Sequence, residues 1–180
     1  GFPPRRSLRR RVSLNVMAKM KMDAVVKKPT ECTPVELDAF QKLVEEGGEV
    51  TSHGLRQRIE LAAALVFIIE SEFIAVGAIK HPNKNYKEGV FSKAGVANKS
   101  NNFNYELGWL YVKPEARGKG VGHSLMQAVV AHLSGSSCYA TTRDNNDSMH
   151  HLFSKYNFNR LGAAYPSNNG YSLVLYANKP

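Results

Sequence analysis

The segment Arg117-Gly118-Lys119-Gly120-Val121-Gly122 constrains this chain more than any other. It follows a stretch of strand composition, Tyr105 to Val112, that Lys113-Pro114 closes, and it leads into a helical stripe of Leu125, Val129 and Leu133. A glycine-rich turn between a strand and a helix aims several unpaired backbone N–H groups at one point, where the positive end of the helix dipole also lies. Such a point attracts phosphate. Gly118, Gly120 and Gly122 let a pyrophosphate approach closely, and Arg117 and Lys119 supply compensating charge. A plain tight turn in an α/β protein is the structural alternative. Spacing excludes two nucleotide loops. A P-loop needs G-x-x-x-x-G-K-[ST], whereas the lysine here precedes its second glycine; a dinucleotide turn, G-x-G-x-x-G, needs glycine where His123 stands.

The rest of the chain fits one domain of ordinary composition, with 180 residues, 43% hydrophobic and 22% charged. No apolar run reaches the roughly 18 residues of a membrane-spanning helix; the longest, Leu61 to Ile69, stops at Glu70. Cys32 and Cys138 are too few for a disulfide framework and lack the spacing of a zinc site, which points to a reducing, cytoplasmic setting. The net charge of +9 is concentrated at one end. Residues 1 to 22 hold seven basic residues and no acid, leaving 17 basic and 15 acidic residues in 23–180. We therefore divide the chain into a basic tail, 1–22, and a nearly neutral folded domain, 23–180. The tail reads as vector-derived sequence, as an organelle-targeting segment if it is native, or as a basic arm for phosphates or acidic lipids. It assigns no chemistry to the folded part, for which neither nucleic acid nor membrane is expected as a partner.

Local signals give the order of elements. Ala24 to Val26 suits a short strand. Thr33-Pro34-Val35-Glu36 opens a helix with a capping box, and Gly47-Gly48 ends it. A second helix is expected from Ser52 to about Ala63, running into a buried strand over Leu65 to Ile69. Glu70-Ser71-Glu72 reverses the chain into Phe73 to Ile79, making a hairpin. A short helix near Tyr86 to Lys93 and an asparagine-rich loop precede Tyr105. Cys138 to Thr142 suits another strand, and Asn146 caps a helix reaching about Tyr156. Two last strands, Leu161 to Tyr165 and Tyr171 to Tyr176, are expected to join across Asn169-Gly170.

The glycine turn fits R-x-x-G-x-G through Arg117, Gly120 and Gly122, and here the chain resembles the GNAT superfamily of N-acetyltransferases. Glu106-Leu107 ahead of Leu110 to Gly122 is similar to that family's fourth strand and pyrophosphate loop. Asn146 followed by Leu152-Phe153-Ser154-Lys155-Tyr156-Asn157-Phe158 is similar to its later helix, with a Leu-Tyr-x-x-x-Gly-Phe ending. The resemblance covers residues 104 to 160. It implies an α/β (α+β) fold: a mixed, mostly antiparallel sheet of six to seven strands flanked by about four helices. It also implies acetyl-CoA as cosubstrate and no metal. The backbone of Leu110, Tyr111 and Val112 would pair with the pantetheine arm in a cleft between Tyr105–Val112 and Cys138–Thr142. The loop from Arg117 through Gly118, Lys119, Gly120, Val121, Gly122 and His123 would hold the pyrophosphate. Asn146 would touch the cofactor, or serve only as a helix cap.

Acyl transfer to an amine needs a neutral amine, stabilisation of the developing oxyanion and a proton for the departing thiolate. The resemblance makes Glu106 the candidate base; a solvated strand glutamate is the alternative. A backbone N–H near Leu110 or Tyr111 would polarise the thioester. The family's tyrosine acid is replaced by Phe153, so Tyr156 becomes the candidate acid, with water as its substitute. Asn157 replaces the usual glycine, which asparagine's tolerance of left-handed angles permits. Cys138 reads as a small buried cysteine, and His150-His151 diverge on a helix and form no metal pair. Acceptor contacts would come from His53 to Arg58, from Tyr86, Lys87, Glu88 and Phe91, and from Tyr165 to Tyr171. The expected activity is direct acetyl transfer to a primary amine in a ternary complex, with a small amine, a protein amino terminus and a lysine side chain all open as acceptor; the rival reading is an inactive acyl-CoA-binding or interaction module. A homodimer is left open.

Overall fold

The computed structural model describes residues 22–180 apart from Glu49. The readings of the basic tail thus fall, Met22 aside, outside the described residues. In chain order the elements are β1 (Asp23–Lys27), α1 (Pro34–Gly47), α2 (Leu55–Glu60), β2 (Ala64–Glu70), β3 (Glu72–Lys80), α3 (Lys84–Lys93), β4 (Tyr105–Val112), α4 (Val121–Leu133), β5 (Cys138–Arg143), α5 (Asp147–Lys155), β6 (Asn159–Arg160), β7 (Tyr165–Pro166) and β8 (Ser172–Ala177). The strands form one sheet in the order β1-β2-β3-β4-β5-β8-β6, with β7 also paired to β8. Among these pairings β4 with β5 is parallel and the rest are antiparallel. The mixed, mostly antiparallel α/β architecture is the one the resemblance implied. Its eight strands include two of only two residues.

The helix boundaries follow from their caps. At the start of α1 the Thr33 hydroxyl accepts the Glu36 N–H at 3.2 Å, and the Glu36 carboxylate accepts the Thr33 N–H at 2.9 Å. Gly48, at φ 74°, ends the helix in the left-handed conformation. The same carboxylate pairs with Lys27 Nζ at 2.8 Å, tying α1 to the end of β1. The second helix is shorter than expected. It begins only after Gly54, and beyond Glu60 the backbone is claimed by the sheet: the Ala63 N–H donates to Ile79 O at 2.9 Å.

The sheet is covered on both faces, which explains why β2 is a continuous apolar run and not an alternating one. Ala64, Val66 and Ile68 are buried with Leu125, Met126 and Val129 of α4. Leu65 and Phe67, on the other face, are buried with Phe40, Leu43, Leu55 and Ile59 from α1 and α2. A third cluster packs Val90 and Phe91 of α3 on Tyr139, Tyr165 and Leu175.

The C-terminal segment departs from expectation. Of the predicted strand from Leu161 to Tyr165 only Tyr165 lies in one, β7; residues 161–164 are irregular and separate it from β6 just upstream. The cause is a contact with the end of α3. The Ala163 N–H donates to Ala94 O at 2.9 Å, which diverts the backbone from the β8 ladder, and Gly162 turns there at φ 72°. A Cβ on Gly162 would lie 2.1 Å from Ala94 O, so the approach depends on the missing side chain.

Candidate active site

Strands β4 and β5 pair only at Tyr105 with Cys138 and Glu106 with Tyr139, and beyond that point they part. The cleft lies where the resemblance put it, between Tyr105–Val112 and the β5 strand. Its β4 wall carries a bulge. Ala78 faces Gly108 and Val76 faces Tyr111, so Gly77 of β3 stands against both Trp109 and Leu110. Trp109 takes φ 52°, a left-handed angle that is strained for a bulky residue. The bulge switches the alternation of side chains. Before it Glu106 and Gly108 share the face covered by α1 and α3; after it Trp109 and Tyr111 take that face, while Leu110 and Val112 face α4.

The cleft is a cavity of about 980 Å³. It runs from Lys80 and Tyr86 at one end to the first turn of α4 at the other, and Leu110, Tyr111, Val112, Arg117, Gly118, Gly120, Val121, Gly122, His123 and Asn146 all line it. Lys119 is exposed and does not. Gly118 and Gly120 sit at φ 77° and 80°, angles that glycine alone adopts without cost, and nothing lies within 4 Å of where their side chains would be. The loop thus presents open backbone at the start of a 13-residue helix. That is the geometry in which main-chain donors and the helix dipole bind a phosphate. Arg117 also fastens the loop to the end of β4, with its Nε donating to Val112 O at 3.0 Å and its guanidinium 5.8 Å from the Tyr111 ring centre. Asn146 caps α5, accepting the Met149 N–H at 3.2 Å, and also lines the cleft.

Glu106 is 8% exposed and held from both sides. Its neighbours in register are Lys80 on β3 and Tyr139 on β5. Lys80 Nζ lies 2.9 Å from one carboxylate oxygen, and the Tyr139 hydroxyl donates to the other at 2.9 Å. Each oxygen keeps a second lone pair for a water or an amine. Burial, and then the nearby Glu106 charge, drives the Tyr139 phenol far above its ordinary value, so it remains a donor to the carboxylate at neutral pH. Burial, and then the Glu106 charge, raises the Tyr86 phenol too.

Phe153 is buried at 1% exposure and lines the cleft, packed at a tilt on Tyr176 with ring centres 5.0 Å apart. It supplies no proton. The Tyr156 hydroxyl is 3.1 Å from Nδ1 of His123; His123 lines the cleft, and Tyr156 is not among the lining residues. Asn157 adopts φ 63°, as its place in the family's glycine position required. Cys138 is buried in the core, and desolvation followed by the Glu106 charge pushes its thiol up to about 12. His150 bonds the Tyr176 hydroxyl at 2.6 Å and Asp144 O at 2.8 Å. Among the described residues no group of three or more His, Cys, Asp or Glu is placed to hold a metal, and no helix is long and apolar enough to cross a membrane. Of the acceptor-side candidates, Tyr86 lines the cleft; Lys87 instead donates to Phe103 O, Phe91 is buried in the core, and neither His53–Arg58 nor Tyr165–Tyr171 reaches the cavity wall. Lys80 and Tyr139 carry no motif of their own in the sequence, because only strand register brings them beside Glu106.

Among solved structures, the chain matches an acyl-CoA N-acyltransferase from Pseudomonas aeruginosa with a TM-score of 0.61 at 14% identity, covering 88% of this chain and 100% of that one. Escherichia coli ElaA matches with a TM-score of 0.59 at 13% identity, over 86% and 99% of the two chains. NAA60 of Arabidopsis thaliana, solved in complex with a bisubstrate analogue, matches with 0.61 at 14% identity, over 86% and 97%. At such identities the likeness is one of fold. No curated protein matches the sequence. The profile of the acetyltransferase (GNAT) family matches residues 35–158, from the first turn of α1 to the residue before β6. That span contains the parted strands, the bulge and the glycine turn, and by it the chain belongs to the GNAT family of acetyltransferases.

Proposed function

We propose that this protein transfers an acetyl group from acetyl-CoA directly to a primary amine held beside it in the same cleft. The observation that carries this reading is the parting of β4 and β5 just beyond Glu106, which lets one cavity join the α4 N-terminus to a held carboxylate. The amides from Gly118 to Gly122 would bind the pyrophosphate, and the backbone of Leu110 to Val112 would pair with the pantetheine arm as an added strand. The thioester then lies near the bulge, where a main-chain N–H at Leu110 or Tyr111 polarises its carbonyl. Glu106, through water, takes a proton from the amine. The nitrogen attacks the carbonyl carbon, the new C–N bond forms, the C–S bond breaks, and the thiolate leaves. Its proton comes from water or from the His123–Tyr156 pair, since Phe153 has none to give.

That phenylalanine also favours a second reading, an acyl-CoA-binding module without turnover. Calorimetric titration with acetyl-CoA, run beside a thiol-release assay over an amine panel, separates the two. Binding with release of CoA on at least one amine supports the transferase; binding with no release on any amine supports the module; no binding removes both.

A further inference from the structure

Lys80 is fixed by three independent features of the sheet. It is paired with Glu106 at 2.9 Å, and its ammonium lies 4.3 Å from the centre of the Trp109 ring. It also crosses β4 over Gly108, where a Cβ would lie 3.0 Å from Lys80 Cδ and 3.4 Å from Nζ. The bulge contributes to this arrangement, because it turns Trp109 onto the same face as Gly108. A lysine held so closely at the mouth of the acceptor end, with its side chain only 27% exposed, is a placed charge.

Its position matters because Glu106 is the one carboxylate among the described residues that line the cleft. An acceptor carrying several ammonium groups needs carboxylates to replace the water around them. Here the available carboxylate already has a cation, so any ammonium beyond the one that gives up its proton would find no counter-charge and would be repelled by Lys80. Beside Lys80 and Glu106 the wall carries the rings of Trp109 and Tyr86, which suits an apolar or aromatic body. We infer that Lys80 is a specificity-determining residue: it makes the site select a monoamine with an aromatic or aliphatic body and reject polycationic acceptors. Discrimination of this kind works as much through repulsion of the wrong ligand as through attraction of the right one.

The inference rests on the acceptor entering beside Glu106, as in the proposed function, and its test keeps the two apart. The test compares kcat/KM for 2-phenylethylamine and for spermidine at saturating acetyl-CoA, with calorimetric binding of each amine to the CoA-loaded protein. The ratio cancels any effect of Lys80 on the shared chemical step. The wild type is expected to favour 2-phenylethylamine at least 100-fold, Lys80→Met to narrow that ratio at least tenfold, and Lys80→Arg to keep most of it. Gly108→Ala, which displaces Lys80 without removing it, should also narrow the ratio. Equal use of spermidine by the wild type, a ratio unmoved by Lys80→Met, or no interaction with 2-phenylethylamine would each overturn the inference. Selective binding of 2-phenylethylamine without transfer would uphold it while removing the transferase reading.

Discussion

At the scale of the residue, the decisive arrangement is the row Lys80–Glu106–Tyr139, three side chains set abreast on adjacent strands by register. A carboxylate with a cation on one oxygen and a phenol on the other is oriented before any substrate arrives. It lines the cleft, and each oxygen keeps a lone pair that a water can use. Removing the charge and keeping the shape isolates that role. Glu106→Gln should lower kcat by about 100-fold or more, the usual range for a positioned proton acceptor, while the dissociation constant for acetyl-CoA changes less than about twofold, since the glycine turn is distant from the substitution. A variant with full turnover acquits the residue. The glycine turn between β4 and α4 was legible in the sequence as a local pattern of residue types, and Glu106 was singled out by the family resemblance. Lys80 and Tyr139 were not, because their proximity to Glu106 is created only by pairing between strands far apart along the chain, 33 residues in the case of Tyr139.

At the scale of the element, caps and turns were legible and interruptions were not. The capping box at Thr33, the reversal at Ser71 and the asparagine cap at Asn146 all stand where local residue patterns put them. The broken strand after Arg160 was missed because its cause, the Ala94 carbonyl, lies far along the chain. Gly162→Ala should therefore destabilise the fold by about 2–4 kcal/mol, combining a left-handed alanine with loss or distortion of the Ala163–Ala94 hydrogen bond. A melting temperature within about 1 °C of the wild type would show that the loop yields without cost. The link between β1 and α1 gives a prediction with a pH signature. Hydrogen bonding from Lys27, then from the Thr33 N–H, holds the Glu36 carboxyl below its ordinary value, and the Glu36 bond in turn raises Lys27. A lowered acid contributes stability above its unfolded pKa and loses it as pH falls through the folded value; a raised base contributes below its unfolded pKa and loses it as pH rises through the folded one. The pair thus acts between roughly pH 5 and pH 10. Glutamine can keep the capping box, so Glu36→Gln should lower the melting temperature modestly at pH 7, with the difference closing below about pH 4. A pH-independent difference would assign the effect to the cap instead.

At the scale of the whole molecule, the sheet opens in its interior between β4 and β5. From Leu107 onward β4 has no β5 partner, and the cleft so formed is bounded by elements from both layers, α1 and α3 on one face and α4 and α5 on the other. A ligand that enters there restores sheet continuity, so its binding should be felt by the fold as a unit. A ligand bound only to the native state stabilises it by about 2.7 kcal/mol at 100 times its dissociation constant. For a domain of this size that corresponds to a rise of roughly 5–10 °C in melting temperature. Acetyl-CoA at such a concentration should produce this rise, together with slowed amide exchange at Leu110 to Val112, whereas acetate and free adenosine should not. The same titration on Gly120→Glu is the control that locates the effect. At φ 80° the substituted residue is strained, and its carboxylate enters the open space at the glycine turn that the proposed function gives to the diphosphate. That variant should melt cooperatively on its own yet gain less than about 1 °C from the ligand. If wild type and variant rise together, the cofactor is held elsewhere, and the open edge of β4 is only a gap in the sheet.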